Sequence, residues 1–151
     1  MSELLEQIKG YLKAFEAINN GNYEGPDYFI EEIIFSGNEL IDIENFLMRK
    51  SIGHEEPESL RFERVENLQV CLGVIFENYF ARNVKLLNDT YRKEFCKMLN
   101  AYINDRQVEI LGSGIKNCYS SITEYLGEVS GSDLLFVFSE KILIIHFGIN
   151  D

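Results

Sequence analysis

The stretch that decides the fold is LLFVFSEKILIIHFG, residues 134–148. Two apolar runs rich in branched and aromatic residues stand on either side of a short polar break, Ser139–Lys141. This pattern predicts a β-hairpin. Because neither run alternates with polar residues, we expect either a sheet that is buried on both faces or a hairpin in the centre of the sheet.

Helical periodicity dominates the sequence before the hairpin, where apolar residues recur at three- and four-residue steps. The segments with this pattern are residues 2–18, 58–81, 89–104 and 115–126. VEIL, residues 108–111, is a short strand candidate. A chain of 151 residues with 46% hydrophobic content suits one core. We therefore predict a single α+β domain over residues 1–151, with about four helices packed on a small, mostly antiparallel sheet that includes the C-terminal hairpin.

Residues 28–47, YFIEEIIFSGNELIDIENFL, are compatible with two structures. As a β-hairpin, FIEEIIF and ELIDIENFL flank the turn SGN, and the Ile- and Phe-rich halves suit strands. As two helices, Asp27 and Asn38 cap segments 28–35 and 39–50. We favour the hairpin and keep the helix pair as the alternative. In both structures the acids share a region with apolar neighbours.

The net charge is −11, and the acids are unevenly distributed along the chain. Residues 1–75 hold fifteen acids against six bases, whereas residues 76–151 hold ten against eight. Between Lys13 and Arg49 there are eight acids and no base. An electrostatic field of this sign repels nucleic-acid phosphates and anionic lipids. The sequence therefore argues against a nucleic-acid partner and against membrane binding.

The N-terminus and the cysteines favour a cytoplasmic protein. MSELLEQIKG is acidic where a signal peptide has its basic region, and no apolar run approaches the roughly 18 residues of a membrane span. Cys71, Cys96 and Cys118 are widely separated, which is typical of reduced, buried thiols rather than of a disulfide framework.

No motif for metal binding or catalysis stands out. His54 and His146 are far apart, and no cysteine has a close Cys or His neighbour, so we expect no zinc site. The alternating acids and central glycine of a calcium loop do not occur either. We interpret His54 as a solvated loop residue and His146, in ILIIHFG, as a buried strand histidine with one hydrogen bond.

Gly112 and Gly114 lie between a predicted strand and a predicted helix, where backbone N–H groups can cradle a phosphate. The third glycine of the dinucleotide motif and the Lys-Ser/Thr pair of the P-loop are both missing. We therefore read this segment as a turn with Ser113 or Gly114 capping the next helix. We expect no cofactor and no enzymatic activity.

The acid-rich region is the best candidate for a binding surface. Carboxylates steer a cationic protein and pair with its Lys and Arg side chains, while aromatic neighbours supply anchors. Immunity proteins and antitoxins that neutralise nucleases are of this physical type, because a nuclease presents a basic cleft. We expect a non-enzymatic inhibitor of a basic protein partner such as a toxin domain. The predicted partner-binding residues are Glu31, Glu32, Glu39, Asp42, Glu44, Glu55, Glu56, Tyr28 and Phe46.

Three other interpretations remain open at this point. The acids can simply form a solvated face that keeps a small protein soluble. The chain can be a structural or regulatory module that self-associates through an apolar face of the central helix or of the C-terminal hairpin. An enzyme without a recognisable motif would need a deep pocket with convergent titratable groups. The oligomeric state is not predicted.

Overall fold

The computed structural model of the protein describes residues 3–20, 25–50, 60–104 and 106–150. These residues form five α-helices and five β-strands. The helices are α1 (Glu3–Asn19), α2 (Glu39–Lys50), α3 (Leu68–Tyr79), α4 (Lys85–Ile103) and α5 (Ser121–Leu126), and a 3₁₀ turn at Arg82–Val84 precedes α4. The strands are β1 (Gly25–Ile34), β2 (Glu63–Arg64), β3 (Glu109–Ser113), β4 (Ser130–Val137) and β5 (Lys141–Asn150). The predicted α+β class is confirmed.

The five strands form one antiparallel sheet in the order β1-β5-β4-β3-β2. The predicted C-terminal hairpin is confirmed as β4 and β5, which lie in the interior of the sheet. Every residue from Ile142 to Gly148 is buried. The unbroken apolar run of β5 is explained by this position, because helices cover both faces of the sheet.

Two hydrophobic clusters lie on opposite faces of the sheet, as the two-residue period of a strand requires. The larger cluster packs α1, α3 and α4 against alternate strand residues such as Leu143, Ile145 and Phe147. The smaller cluster packs α2 and α5 against Ile142 and Ile144. The domain therefore has three layers, with the sheet in the middle.

Neither prediction for residues 28–47 holds over the whole segment. The first half is strand β1, as the hairpin predicted, and the second half is helix α2, as the helix pair predicted. The Asn38 side chain accepts a hydrogen bond from the Ile41 amide at 3.2 Å, which starts α2 at the predicted cap. Gly37, with φ 111°, provides the turn between the two elements.

The helix predicted for residues 58–81 is shorter than expected. Helix α3 begins at Leu68, where the Asn67 side chain accepts a hydrogen bond from the Val70 amide at 3.1 Å. The short strand β2 precedes it, because Glu63 and Arg64 pair with β3. The predicted helix start at Pro57 lies outside the described residues. Helix α4 begins at Lys85 rather than at residue 89.

The helix predicted for residues 115–126 begins only at Ser121. Gly114 and Cys118 have φ values of 70° and 57°, and these left-handed residues break the helical periodicity of the segment. The predicted cap at Ser113 or Gly114 is therefore wrong. Ser120 caps α5 instead, accepting a hydrogen bond from the Thr123 amide at 3.0 Å.

None of the helices in the described part of the chain has the length and apolar character needed to cross a lipid bilayer.

The three cysteines are free thiols, with Cys71 buried and Cys96 and Cys118 half-buried. Burial raises the pKa of Cys71 to about 11, which keeps that thiol protonated.

Candidate functional site

Most of the predicted binding residues lie on β1 and α2. Strand β1 is at one edge of the sheet and pairs with β5 on one side. Helix α2 packs Ile43, Phe46 and Leu47 into the smaller hydrophobic cluster. The acids of the base-free region from Asp27 to Glu44 are therefore carried by two successive elements.

The outer surface of α2 combines apolar side chains with a carboxylate. Leu40, Ile41 and Met48 are 43%, 52% and 49% exposed, and Glu44 is exposed as well. At 3.6 residues per turn these four residues fall within about 100° of one another around the helix axis. We call Leu40, Ile41, Glu44 and Met48 the α2 face.

Two of the predicted acids are engaged within the fold. Glu32 accepts a hydrogen bond from the Tyr102 hydroxyl and lies 3.3 Å from the Lys141 ammonium. Burial alone would raise the pKa of Glu32, but Tyr102 and Lys141 outweigh it and hold that pKa below its usual value. Asp42 accepts hydrogen bonds from the Ser36 amide at 2.8 Å and from its hydroxyl at 2.6 Å. Glu32 thus connects β1 to α4 and β5, and Asp42 stabilises the turn between β1 and α2.

Of the other five predicted acids, three lie within the described residues and two lie outside them. Glu31, Glu39 and Glu44 make no ion pair with any cation in the described residues. Their charge is therefore uncompensated at the surface of β1 and α2. Glu55 and Glu56 lie outside the described residues.

The two aromatic residues predicted as anchors are in the core. Tyr28 is 1% exposed, and its hydroxyl donates to the Tyr79 carbonyl at 3.0 Å. Phe46 is 8% exposed and contacts the Phe29 ring, with centroids 6.2 Å apart. Neither ring is available to a partner, because each lies on the face of its element that packs inward. Exposed apolar side chains of this region are instead found on the α2 face.

A second group of polar residues is buried on the sheet face that α5 covers. His146 is completely buried, with Nδ1 2.5 Å from Asp133 Oδ1 and Nε2 2.6 Å from Glu128 Oε1. Asp27 in β1 stands beside this group. We call His146, Asp133, Glu128 and Asp27 the His146 cluster. The predicted burial of His146 is confirmed, but it has two carboxylate partners instead of one hydrogen bond.

The hairpin and α5 together position the His146 cluster. Asp133 and His146 stand directly opposite each other in the β4–β5 ladder, so their side chains share a face. Asp133 Oδ2 accepts a hydrogen bond from the Ile122 amide at 3.2 Å. Glu128 Oε1 accepts one from the Thr123 hydroxyl at 3.2 Å. A backbone amide of α5 thus holds the Asp133 carboxylate, and a hydroxyl group of α5 holds the Glu128 carboxylate.

Two glycines leave the space that the His146 cluster occupies. A Cβ atom on Gly148 would lie 2.3 Å from Glu128 Oε2 and 2.4 Å from His146 Nε2. A Cβ on Gly131 would lie 1.9 Å from the Thr123 hydroxyl oxygen. All three distances are well inside van der Waals contact, so a larger residue at these positions would displace the cluster.

The protonation of the cluster is set by opposing effects. Burial alone would lower the pKa of His146, but the hydrogen bonds and charges of Asp133 and Glu128 outweigh it and raise that pKa from 6.5 to about 9. Burial raises the pKa of Glu128; His146 opposes this rise, and the nearby Asp27 adds to it. At neutral pH His146 is therefore a buried imidazolium held between Asp133 and Glu128.

The cluster contains a set of atoms that could hold a metal ion. Ligand atoms of Asp27, Glu128 and His146 lie within 4.8 Å of one another. Glu128 Oε2 is buried and has no hydrogen-bond partner among the described residues. Two carboxylates and an imidazole are common ligands of first-row transition metals.

Sequence reasoning missed this cluster because its members are far apart in the chain. One signal was available: a hairpin turning at Ser139–Lys141 pairs Val137 with Ile142, and the same register places Asp133 opposite His146. No comparable signal brings in Asp27 and Glu128, because their positions depend on the pairing of β1 with β5 and on the course of the chain after α5.

No protein-family model matches the chain, and no curated protein or solved structure shows significant similarity to it.

Proposed function

We propose that this protein is a non-enzymatic binding protein that engages a basic protein partner through the α2 face and the neighbouring acids Glu31 and Glu39. The observation that carries the proposal is the α2 face, where exposed Leu40, Ile41 and Met48 adjoin the carboxylate of Glu44. Apolar contacts surrounded by charge are the usual composition of a protein interface.

The uncompensated charge supports a cationic partner. Glu31, Glu39 and Glu44 lack an ion pair among the described residues, and their mutual repulsion raises the free energy of the compact fold. Lys or Arg side chains of a partner would remove that repulsion and would speed association by electrostatic steering. The apolar residues of the α2 face would then be desolvated in the contact.

An inhibitor of a nuclease is the specific form of this proposal. A nuclease must present a basic cleft to bind phosphates, and carboxylates on a rigid helix and strand can occupy such a cleft in their place. Immunity proteins and antitoxins act in this way. A nuclease-type toxin domain is therefore the partner class that fits the sign of the charge.

A second candidate function is self-association through an apolar surface. The sequence predicted self-association through the central helix or through the C-terminal hairpin. The hairpin is covered on both faces, so it does not offer a surface for this contact. A groove of about 970 Å³ between α3 and α4 exposes part of the central helix α3. Its lining combines apolar Leu72 and Phe76 with charged residues of α4 such as Arg92 and Lys93. Exposed Leu86 lines this groove, and Val70 on α3 is also exposed. This function requires a salt-insensitive dimer; light scattering that shows a monomer at all concentrations would contradict it.

The proposed function is tested with two variants of identical charge change. One carries Glu31→Lys, Glu39→Lys and Glu44→Lys. The control carries Glu77→Lys, Glu94→Lys and Glu109→Lys, which reverse exposed acids on α3, α4 and β3. The wild type is used to capture a partner from its native cells at low salt, and that partner is identified by mass spectrometry and purified.

Binding kinetics of the purified partner decide between the outcomes. We expect the first triple variant to lower the association rate constant at least tenfold at 50 mM salt, with a smaller effect at 300 mM salt. The control is expected to retain most of the rate. Equal losses in both variants would indicate unspecific attraction by net charge and would overturn the proposed surface. If the partner is a nuclease, equimolar wild-type protein should stop its cleavage activity.

A further inference from the structure

We propose that the His146 cluster is a binding site for a divalent first-row transition metal ion of the Zn²⁺ type, with Asp27, Glu128 and His146 Nε2 as ligands. This inference is independent of the proposed binding surface. The site lies between edge strand β1, the segment after α5 and strand β5. Because Asp27 is only half-buried, an ion can reach the site from the edge of the sheet.

The unpartnered oxygen of Glu128 is the first argument. Its side chain is 1% exposed, and Oε2 has no donor within the described residues. Leaving a buried carboxylate oxygen without a partner is costly, so such an atom requires an explanation, and a bound ion is one of the explanations. Oε2 is aimed at the backbone of Gly148, whose partner in the β1–β5 ladder is Asp27. Oε2 therefore faces the Asp27 carboxylate, which can pair with it only through a shared proton. Burial, together with the hydrogen bond and charge of Asp27, raises the pKa of Glu128.

Charge is the second argument. Asp27, Glu128 and Asp133 bring three carboxylates around one imidazole, and no Lys or Arg of the described residues pairs with any of them. A protonated His146 compensates only one of these charges. A divalent cation on the ligand atoms would compensate more of the charge in the same small volume and would give Glu128 Oε2 a partner.

The orientation of the imidazole is the third argument. Metal-binding histidines usually donate the second ring N–H to a carboxylate, which fixes the ring and the tautomer. Asp133 is in that position, 2.5 Å from Nδ1, and the Ile122 amide holds its other oxygen. Nε2 is thereby directed at Glu128 and Asp27. Asp133 is a positioning residue in this proposal and not a ligand.

Binding requires a small local rearrangement. Nε2 and Glu128 Oε1 are 2.6 Å apart, so an ion at about 2.0–2.2 Å from each ligand must separate them slightly. The Nε2 proton leaves to solvent as the bond to the metal forms, and the imidazole lone pair becomes the donor. Three protein ligands leave the fourth tetrahedral position to a water molecule.

Metal binding to chelator-treated, full-length protein tests the proposal. Zn²⁺ binding is measured by isothermal titration calorimetry and by metal analysis after dialysis, and Co²⁺ is used as a spectroscopic probe of ligand geometry. We expect one ion per chain in the wild type and at least a tenfold loss of affinity in Asp27→Asn and in Glu128→Gln. Both changes keep the shape of the side chain, and circular dichroism and a thermal melt report whether the fold is retained.

Two control variants test other groups that can bind zinc. His54→Gln removes the second histidine of the sequence, and Cys96→Ser removes a half-buried thiol outside the His146 cluster. Both should bind Zn²⁺ with wild-type affinity, and Zn²⁺ should raise the melting temperature of the wild type but not of Asp27→Asn. The proposal is overturned if the wild type binds no ion, if Asp27→Asn and Glu128→Gln bind as the wild type does, or if a control abolishes binding.

Discussion

His146 Nδ1 lies 2.5 Å from Asp133 Oδ1, and the two residues face each other across the central pair of strands. A charged pair at this depth is unusual, because charged side chains are rarely completely buried. Removing Asp133 leaves His146 with Glu128 as its remaining charged partner and deprives the Ile122 amide of its acceptor. Breaking a buried pair in this way costs more than the pair itself contributes.

Asp133→Ala should therefore destabilise the metal-free protein by about 3–5 kcal/mol. Urea unfolding in the presence of a chelator measures this difference. Glu140→Ala is the matched control, because it removes an exposed acid from the same hairpin and should change the free energy of unfolding by less than about 0.5 kcal/mol. A loss below about 1 kcal/mol for Asp133→Ala would show that the pair is not a structural requirement.

Gly148→Ala should also destabilise the protein, by about 1–3 kcal/mol, because its Cβ would collide with the side chains of Glu128 and His146. The same substitution at Gly10 provides the control. Gly10 is exposed in α1 with no atom within 4 Å of an added Cβ, so Gly10→Ala should stabilise the helix by about 0.5–1 kcal/mol. Thermal and urea unfolding compare the two variants, and opposite signs are the expected result.

The two sides of α2 should respond differently to truncation. Phe46 is buried against Phe29, so Phe46→Ala should cost about 3–5 kcal/mol. Ile41 is 52% exposed on the α2 face, so Ile41→Ala should change stability by less than about 0.5 kcal/mol. Equal destabilisation by the two changes would contradict the orientation of the helix.

Glu32 should give the protein an acid-dependent contribution to stability. Tyr102 and Lys141 lower the pKa of Glu32 in the folded state. The ionised carboxylate therefore stabilises the fold at pH values above its pKa in the unfolded chain, which is near 4.5. That contribution is lost as pH falls through the lower pKa of the folded state. Since the side chain is 30% exposed, we expect less than about 1 kcal/mol.

The measurement compares wild type with Glu32→Gln by urea unfolding at pH 7, 5 and 3. The difference in free energy of unfolding should be present at pH 7 and should shrink at pH 3. Glu31→Gln is the control, because Glu31 makes no ion pair among the described residues. A difference for Glu32→Gln that is unchanged at pH 3 would rule out the electrostatic explanation.

The central hairpin and the helical class were predictable from sequence because local periodicity determines them. The run LLFVF and the run ILIIHFG are apolar enough to require burial on both faces, whatever covers them. Residues 28–47 were harder, because short Ile- and Phe-rich segments suit strands and helices alike. The Asn38 cap explains why the second half is a helix. The first half is a strand because it pairs with β5, which is distant in the sequence.

The surface and buried sites were predictable to different degrees. The acid excess on β1 and α2 is a property of composition and was visible directly. The burial of Tyr28 and Phe46 was not predictable, because the sequence of an amphipathic element does not show which of its aromatic residues packs against the core. The His146 cluster depends on the tertiary position of Asp27 and Glu128, which no local pattern encodes.

The position of β1 in the sheet also bears on how the chain folds during synthesis. Its strand partner is β5, and more than 100 residues separate Ile34 from Lys141, its neighbour in the ladder. At a synthesis rate of about 5–20 residues per second, β1 is exposed for at least about 5 seconds before β5 has been made. Glu31 and Glu32 interrupt its apolar sequence, and such charges hinder intermolecular strand pairing. Glu31, one of the acids of the proposed binding surface, and Glu32, which is bound within the fold, would thus both protect the nascent chain from aggregation.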